Sequence, residues 1–359
     1  MPNCERVIDA SVRWRFAGGW DMAEDKEYRL SSRSILQVAL AMTSPPAKRQ
    51  RTEIAITRSE IWYQDGSVVL QAQDTQFRVH WSLLSQNSSF FRDMQSLPQP
   101  PEEPTVDGCH LIELPDDAID VKWVLKALYT PSFLAQTALP FAAVAAHIRL
   151  GRKYDFRELL DLAVSRLIYE HPTTLEEYDA LVNPYQSTRI IPHRGIELDI
   201  VTLARKNDIL CVLPCAYYRV LRQATSADSL FKYVKTDDGT QVSLALVDLR
   251  RCVSGREKIL DVQSKSGYPS GWHRHYVPGP NCTGLERCVE TREKYLCAYL
   301  DTLTSWRGLK KVKLTNTRFC AVCQQDIVES NAAGRRRMWD ELPGMFNIAP
   351  SWGELKNEL

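Results

Sequence analysis

The stretch from Gly66 to Met94, GSVVLQAQDTQFRVHWSLLSQNSSFFRDM, changes its hydrophobic period once, and that change constrains the fold most. Val68, Val69 and Leu70 form an apolar run, and Phe77 and Val79 alternate with Gln76, Arg78 and His80. Gln73-Asp74-Thr75 between them is turn chemistry, so the spacing predicts a β-hairpin. Leu83, Leu84, Phe90, Phe91 and Met94 then recur at helical spacing, with Ser85-Gln86-Asn87-Ser88 as a break and an N-cap. Hairpin, short helix, break and second helix together make a compact α/β unit.

The flanks extend this unit. Ile61, Trp62 and Tyr63 read as a short lead-in strand. The prolines between 97 and 104 exclude helix and central strand there. Residues 110–114 (HLIEL) alternate like a strand, and Pro115-Asp116-Asp117 starts a helix over 118–129. Residues 141–154 and 156–168 read as a helical pair. Ala142, Val144, Ala145 and Ile148 line one face, and Leu159, Leu160, Leu162, Ala163 and Leu167 the next.

Phe77, Val79, His80, Leu84, Ser88, Phe91 and Met94 stand where the BTB/POZ domain carries its F-x-V-H-x-x-x-L-x-x-x-S-x-x-F-x-x-M pattern. Val124, Leu125, Leu128 and Tyr129 continue the likeness, and Tyr154-Asp155 marks the junction of the closing helical pair. Residues 60–171 therefore resemble a BTB/POZ domain. Arg58-Ser-Glu-Ile-Trp62-Tyr-Gln-Asp65-Gly66 and Gly334-Arg-Arg-Arg337-Met-Trp339-Asp-Glu-Leu-Pro343 are similar to the start and end of fungal, basidiomycete-type BTB chains. The resemblance implies an α/β (α+β) domain followed by a mainly α-helical region. It also implies a non-enzymatic interaction module that dimerises or acts as an adaptor. A homodimer would use a two-fold interface, with Ile61, Trp62, Tyr63, Leu84, Phe91 and Met94 as its candidates. Two narrower roles follow from the family: substrate adaptor of a cullin-type ubiquitin ligase, and transcription-linked nuclear scaffold. The first expects a hydrophobic-x-acidic motif in the loop over 95–106, which prolines dominate here. The second expects a charged pocket. Asp65 stands near its acidic position, but Trp81 replaces the basic residue after the histidine. His80 is structural in the family.

With 359 residues the chain has room for two or three domains. We divide it into a tail over 1–59, the BTB-like domain over 60–171, a helical extension over 172–224 and a cysteine-containing, mostly helical region over 225–359. The tail looks poorly ordered. Its Pro46-Ala-Lys48-Arg49-Gln-Arg51 run reads either as a nuclear-import signal or as a solvated charge run, and Met42 reads as a natural start. A net charge of +1 gives no general pull toward nucleic acid, and no zinc-finger array is present, so no direct nucleic-acid binding is expected. No apolar run nears the about 20 residues of a membrane span, and no secretory signal is visible. A nuclear or cytoplasmic protein is the expectation. Helices are predicted over 174–181, 197–206, 209–222, 287–307 and 314–339, and residues 264–284 read as loop. Residues 243–249 and 259–262 read as strand or buried helix.

Ten cysteines are too many to ignore in a chain expected to keep them reduced. Cys282 and Cys288 fall in a polar loop running into a helix, and Cys320 and Cys323 fall three apart on a predicted helix. Two thiolates from each segment would close a tetrahedral site for a structural zinc. The spacing of the first pair is longer than usual, and His273 or His275 lies close enough in sequence to replace one ligand. Buried free thiols and a redox C-x-x-C pair are the alternatives; the latter would make a thiol-based redox enzyme. Cys211 and Cys215 read as core. Arg335-Arg336-Arg337 reads as a solvated helix face or a phosphate contact.

Overall fold

The structure, a computed structural model, describes residues 55–96, 104–181, 188–224, 226–237, 239–300, 308–314, 317–355 and 357. The basic run at 48–51 and the start at Met42 lie outside these residues, as does most of the tail. Thr57–Trp62 forms strand β1, which begins inside the tail over 1–59 read from the sequence.

β1 joins β2 (Val68–Ala72), β3 (Thr75–Val79), β4 (Thr105–Val106) and β5 (Cys109–Leu114) in one mixed sheet, in the order β1-β3-β2-β5-β4. The hairpin is as the alternation required. β2 and β3 run antiparallel with Leu70 opposite Phe77, and Gln73 turns the chain with φ of 54°. β5 lies parallel to β2, with Ile112 beside Leu70. A parallel neighbour needs a crossover, and helices α1 (Trp81–Asn87) and α2 (Ser89–Ser96) stand in it. α1 runs through Ser85, Gln86 and Asn87, so the break narrows to Ser88. Its buried hydroxyl accepts the Phe91 N–H at 3.1 Å. Helix α3 (Ala118–Tyr129) starts where Asp117 accepts the Ile119 N–H. The short α4 (Pro131–Leu134) follows. α5 (Phe141–Lys153) and α6 (Arg157–Glu170) then stack on α3 in turn.

Beyond this domain come α7 (Leu175–Ala180), α8 (Ile196–Lys206), α9 (Leu213–Gln223), α10 (Leu246–Val262), α11 (Trp272–His275), α12 (Leu285–Leu300), α13 (Ala321–Asp340) and α14 (Leu342–Met345). The fragments read at 243–249 and 259–262 meet in the single helix α10, which begins at Leu246 and leaves 243–245 outside it. Its buried stripe, Cys252, Gly255 and Ile259, has helical spacing but carries only one large apolar side chain, so the sequence signal was thin. Gly255 is required there, because a Cβ would fall 2.3 Å from the Phe346 ring. α11 interrupts the loop expected over 264–284, and α13 begins at Ala321 rather than 314.

One apolar core runs from Val68 to Phe346, and residues 55–359 form one compact unit. The divisions drawn at 171/172 and 224/225 mark changes of sequence pattern, and the core crosses both. The C-terminal half is anchored by Trp339, which is 1% exposed. Its Nε1 donates to the Thr173 carbonyl at 2.8 Å, and Trp352 stacks on its ring. Arg335 is buried too, not part of a solvated face. It forms a bidentate pair with Asp179 on α7 at 2.6 and 2.9 Å. Burial opposes the Asp179 charge, but Arg335 and Lys311 outweigh it and hold the carboxyl below its usual range.

Candidate functional site

Two places carry residues singled out in the sequence. The first is the outer edge of the sheet. Among the described residues β1 pairs with β3 alone, so its other side has no strand partner. Ile61 and Trp62 on it are half-buried and Tyr63 is exposed. The Arg58 guanidinium lies over the Trp62 ring at 4.3 Å, and Tyr63 stacks on Tyr129 at 4.3 Å. The Tyr129 hydroxyl accepts the His80 backbone N–H and meets His80 Nδ1, each at 2.8 Å. That leaves Nε2 to Asp65 at 3.2 Å, and this contact draws the Asp65 carboxyl below its ordinary pKa. His80 thus latches the hairpin to α3, the structural place the resemblance implied. Leu84 and Phe91 are each 1% exposed and belong to the core, so they offer no surface in this chain. Met94 is half-buried against the same core.

The second place is at the far end of α13. A small second core gathers Trp272, Cys288, Leu314, Phe319, Cys320, Cys323 and Ile327, with Cys282, Tyr276 and Tyr295 around it. The sulfurs of Cys282, Cys288, Cys320 and Cys323 all lie within 4.8 Å of one another. Cys282 Sγ is 3.8 Å from Cys320 Sγ. Sulfurs bound tetrahedrally at about 2.3 Å from a zinc ion stand about 3.8 Å apart, so the four thiols have the spacing of that shell. Cys320 is not inside the helix, as the sequence reading had it. It is the N-cap of α13, in extended conformation, and its sulfur accepts the Cys323 N–H at 3.5 Å. The Cys320 N–H in turn points at Cys288 Sγ at 3.2 Å. Cys288 sits in the first turn of α12. Two helix N-termini therefore converge on the sulfurs, and both favour negative charge.

The charges follow from this crowding. Hydrogen bonds from the backbone of Cys323 and Thr283 draw the Cys320 thiol down to about 5. Burial pushes the Cys288 and Cys323 thiols up. Four adjacent thiolates repel one another, and a divalent cation among them relieves that repulsion. Burial also raises Tyr276, whose hydroxyl reaches both Cys323 and Asp326. The histidines offered as substitute ligands are elsewhere. His273 is sandwiched between Trp272 at 3.8 Å and Tyr299 at 4.3 Å, and His275 is exposed at the end of α11. The group of four is made of sulfur alone, and among the described residues no strand leads directly into Cys320 as a redox pair's would.

Residues 64–171 match the BTB/POZ domain family. This segment is a BTB/POZ domain. No curated protein matches the chain. BTB domains are generally protein–protein interaction modules rather than enzymes. Here the BTB domain is followed by a helical C-terminal region. No helix among the described residues is long and apolar enough to cross a membrane.

Where the BTB domain meets that region lies a buried network the sequence reading missed. His171, at the end of α6, contacts Glu197 of α8 at 3.0 Å, and Glu197 pairs with Arg219 of α9 at 2.6 Å. Arg219 also donates to the Glu170 carbonyl at 2.9 Å. Burial works against the Glu197 charge, but His171 and Arg219 outweigh it and its pKa ends below the usual range. A polar residue on an otherwise apolar face, such as Arg219 among Cys215, Ala216, Val220 and Leu221, was the available signal.

Proposed function

We propose that the protein is a dimeric BTB adaptor, acting in the nucleus or cytoplasm, which uses the open edge of its sheet to pair with a second copy. The observation that carries this is the position of β1. Among the described residues the BTB sheet ends there on an edge strand that bears Ile61 and Trp62, with Tyr63 just after it. A two-fold interface would cover both copies of this edge at once. Phe90, 40% exposed on α2, supplies further apolar surface nearby in sequence. The likeness of residues 58–66 and 334–343 to fungal BTB chains supports assignment to that branch. Light scattering after size exclusion tests the reading. The full chain should elute with twice its monomer mass, and Ile61→Asp with Trp62→Ala should halve it. A monomeric wild type sinks it. The adaptor's client is a protein. The cullin-ligase version requires a contact made by the loop after α2, most of which lies outside the described residues.

The four-cysteine group supports a second element of this reading, a structural zinc held by Cys282, Cys288, Cys320 and Cys323. The donor set favours it: four sulfurs, three of them buried, at mutual distances that suit the ion. Such an ion would neutralise the crowded thiolates and close a core too small to hold itself. Native mass spectrometry should find one zinc per chain, lost when Cys320 and Cys323 are both changed to serine. A metal-free chain with four free thiols would reduce the group to core packing.

A further inference from the structure

The four sulfurs differ in one respect the zinc assignment does not use. Cys288, Cys320 and Cys323 are buried, whereas Cys282 is only half-buried, on the loop before α12. That loop is solvated: Val277 is 75% exposed and nothing lies within 4 Å of a Cβ built on Gly279. Cys282 is therefore the sulfur an oxidant in solution reaches first, and Cys320 Sγ stands 3.8 Å behind it. A disulfide needs the two sulfurs at about 2.05 Å. Cys320 is held as the cap of α13, so closing that gap falls to the solvated loop that carries Cys282.

We propose that the metal centre is also a peroxide-responsive thiol switch, in which Cys282 and Cys320 join as a disulfide and the zinc leaves. The proposal rests on the zinc assignment above. The Cys282 sulfur attacks one oxygen of hydrogen peroxide; an S–O bond forms, the O–O bond breaks and hydroxide departs. The Cys320 thiolate then attacks Cys282 Sγ; the S–S bond forms, the S–O bond breaks and a second hydroxide departs. Two sulfurs have given two electrons to the peroxide, and two protons from solvent turn both hydroxides into water. Only Cys288 and Cys323 remain as ligands, two of the four, and the ion dissociates as they take up protons.

The structural output is confined by the way α13 is held. Its N-terminal end belongs to the second core, around Cys323 and Ile327. Its C-terminal end is fixed in the main core by Arg335 on Asp179 and by Trp339. Oxidation would loosen the first end and leave the BTB side in place.

The test uses the full chain, zinc-loaded, with the exposed Cys297 changed to serine so that it cannot cross-link copies. Zinc content is measured first. Hydrogen peroxide is then added while a chromogenic chelator reports release and peptide mass spectrometry maps disulfides. The expected result is release in step with a Cys282–Cys320 disulfide, reversed by reductant and added zinc. Cys282→Ser should slow release about tenfold or more, since the accessible sulfur is gone. If that variant does not load zinc, the wild-type disulfide map decides alone. Zinc retained under peroxide, or a Cys320–Cys323 product, overturns the switch and leaves the zinc assignment standing. A chain that binds no zinc at the first step overturns both.

Discussion

The BTB domain and the cysteine end of the molecule solve the same problem by different physics. The sheet and its helices bury Val68, Leu70, Phe77, Leu84, Phe91, Leu125 and many others in one continuous apolar core. Among the described residues the second core has seven buried members, and three of them are cysteines. Apolar burial stabilises in proportion to area, so the first region needs no other help. The second is smaller among the described residues, and it sets four sulfurs within 4.8 Å of one another. The difference teaches that apolar content sustains the BTB fold, whereas the far end gathers four thiols that could hold a metal ion.

The sharpest way to break this contrast is at the thiols. Changing Cys320 and Cys323 together to serine should abolish zinc binding, which contributes on the order of 10 kcal/mol to small zinc-stabilised folds. Hydrogen exchange should then lose protection over 285–300 and 321–331 while the sheet stays protected. Equal loss in both regions would show that they do not differ in this way. Acidification should act in the same direction. The metal-bound state holds fewer protons than the unfolded one, so its stability falls as pH falls.

A core deletion on the BTB side should behave oppositely. Phe91→Ala should cost about 3–5 kcal/mol by removing a buried ring. Because one core runs to Phe346, denaturant unfolding should remain a single shifted transition. Zinc content at low denaturant should not change.

The junction comes next. Glu197→Gln leaves Arg219 buried without its counter-charge and should cost about 3 kcal/mol at neutral pH. The sign with pH follows from the depressed carboxyl. Its contribution is present above the unfolded value of 4.5 and is lost as pH falls through the lower folded value. The difference between wild type and variant should therefore shrink on acid titration. A constant difference would place the effect in packing.

Arg335→Leu should have the smallest effect, about 1.5–3 kcal/mol for a charge-assisted pair only partly screened by solvent. It tests the link between the regions, because the residue holds the middle of α13 to α7. Zinc affinity should be unchanged if the two cores are independent, and reduced if the helix transmits strain between them.

Much of the BTB domain was legible because its signals are local. Alternation at Gln76–Val79 gave strands, the Asp117 cap gave the start of α3, and Leu159, Leu160, Ala163 and Leu167 gave a helix face, whereas Leu162 and Ala142, read onto the buried faces, are exposed. The helical boundaries after 225 were harder. α10 buries one aspartate, one cysteine, one glycine and one isoleucine, which is a weak periodic signal. At the candidate site the four cysteines could be named as a group from the sequence. Their meeting, the cap role of Cys320 and the exclusion of His273 could not, since these depend on where two helix ends come together.

By itself, the sequence determined the hairpin, the helices of the BTB domain and the list of thiols that could hold a metal ion. Each of those follows from residue type and spacing within one short segment. Only the tertiary structure decided that α13 bridges two cores, that Arg335 is a buried tie rather than a surface charge, and that Cys282 is the least buried of the four cysteines. Those facts depend on contacts between residues far apart in the chain, such as Asp179 with Arg335, and no local pattern encodes them.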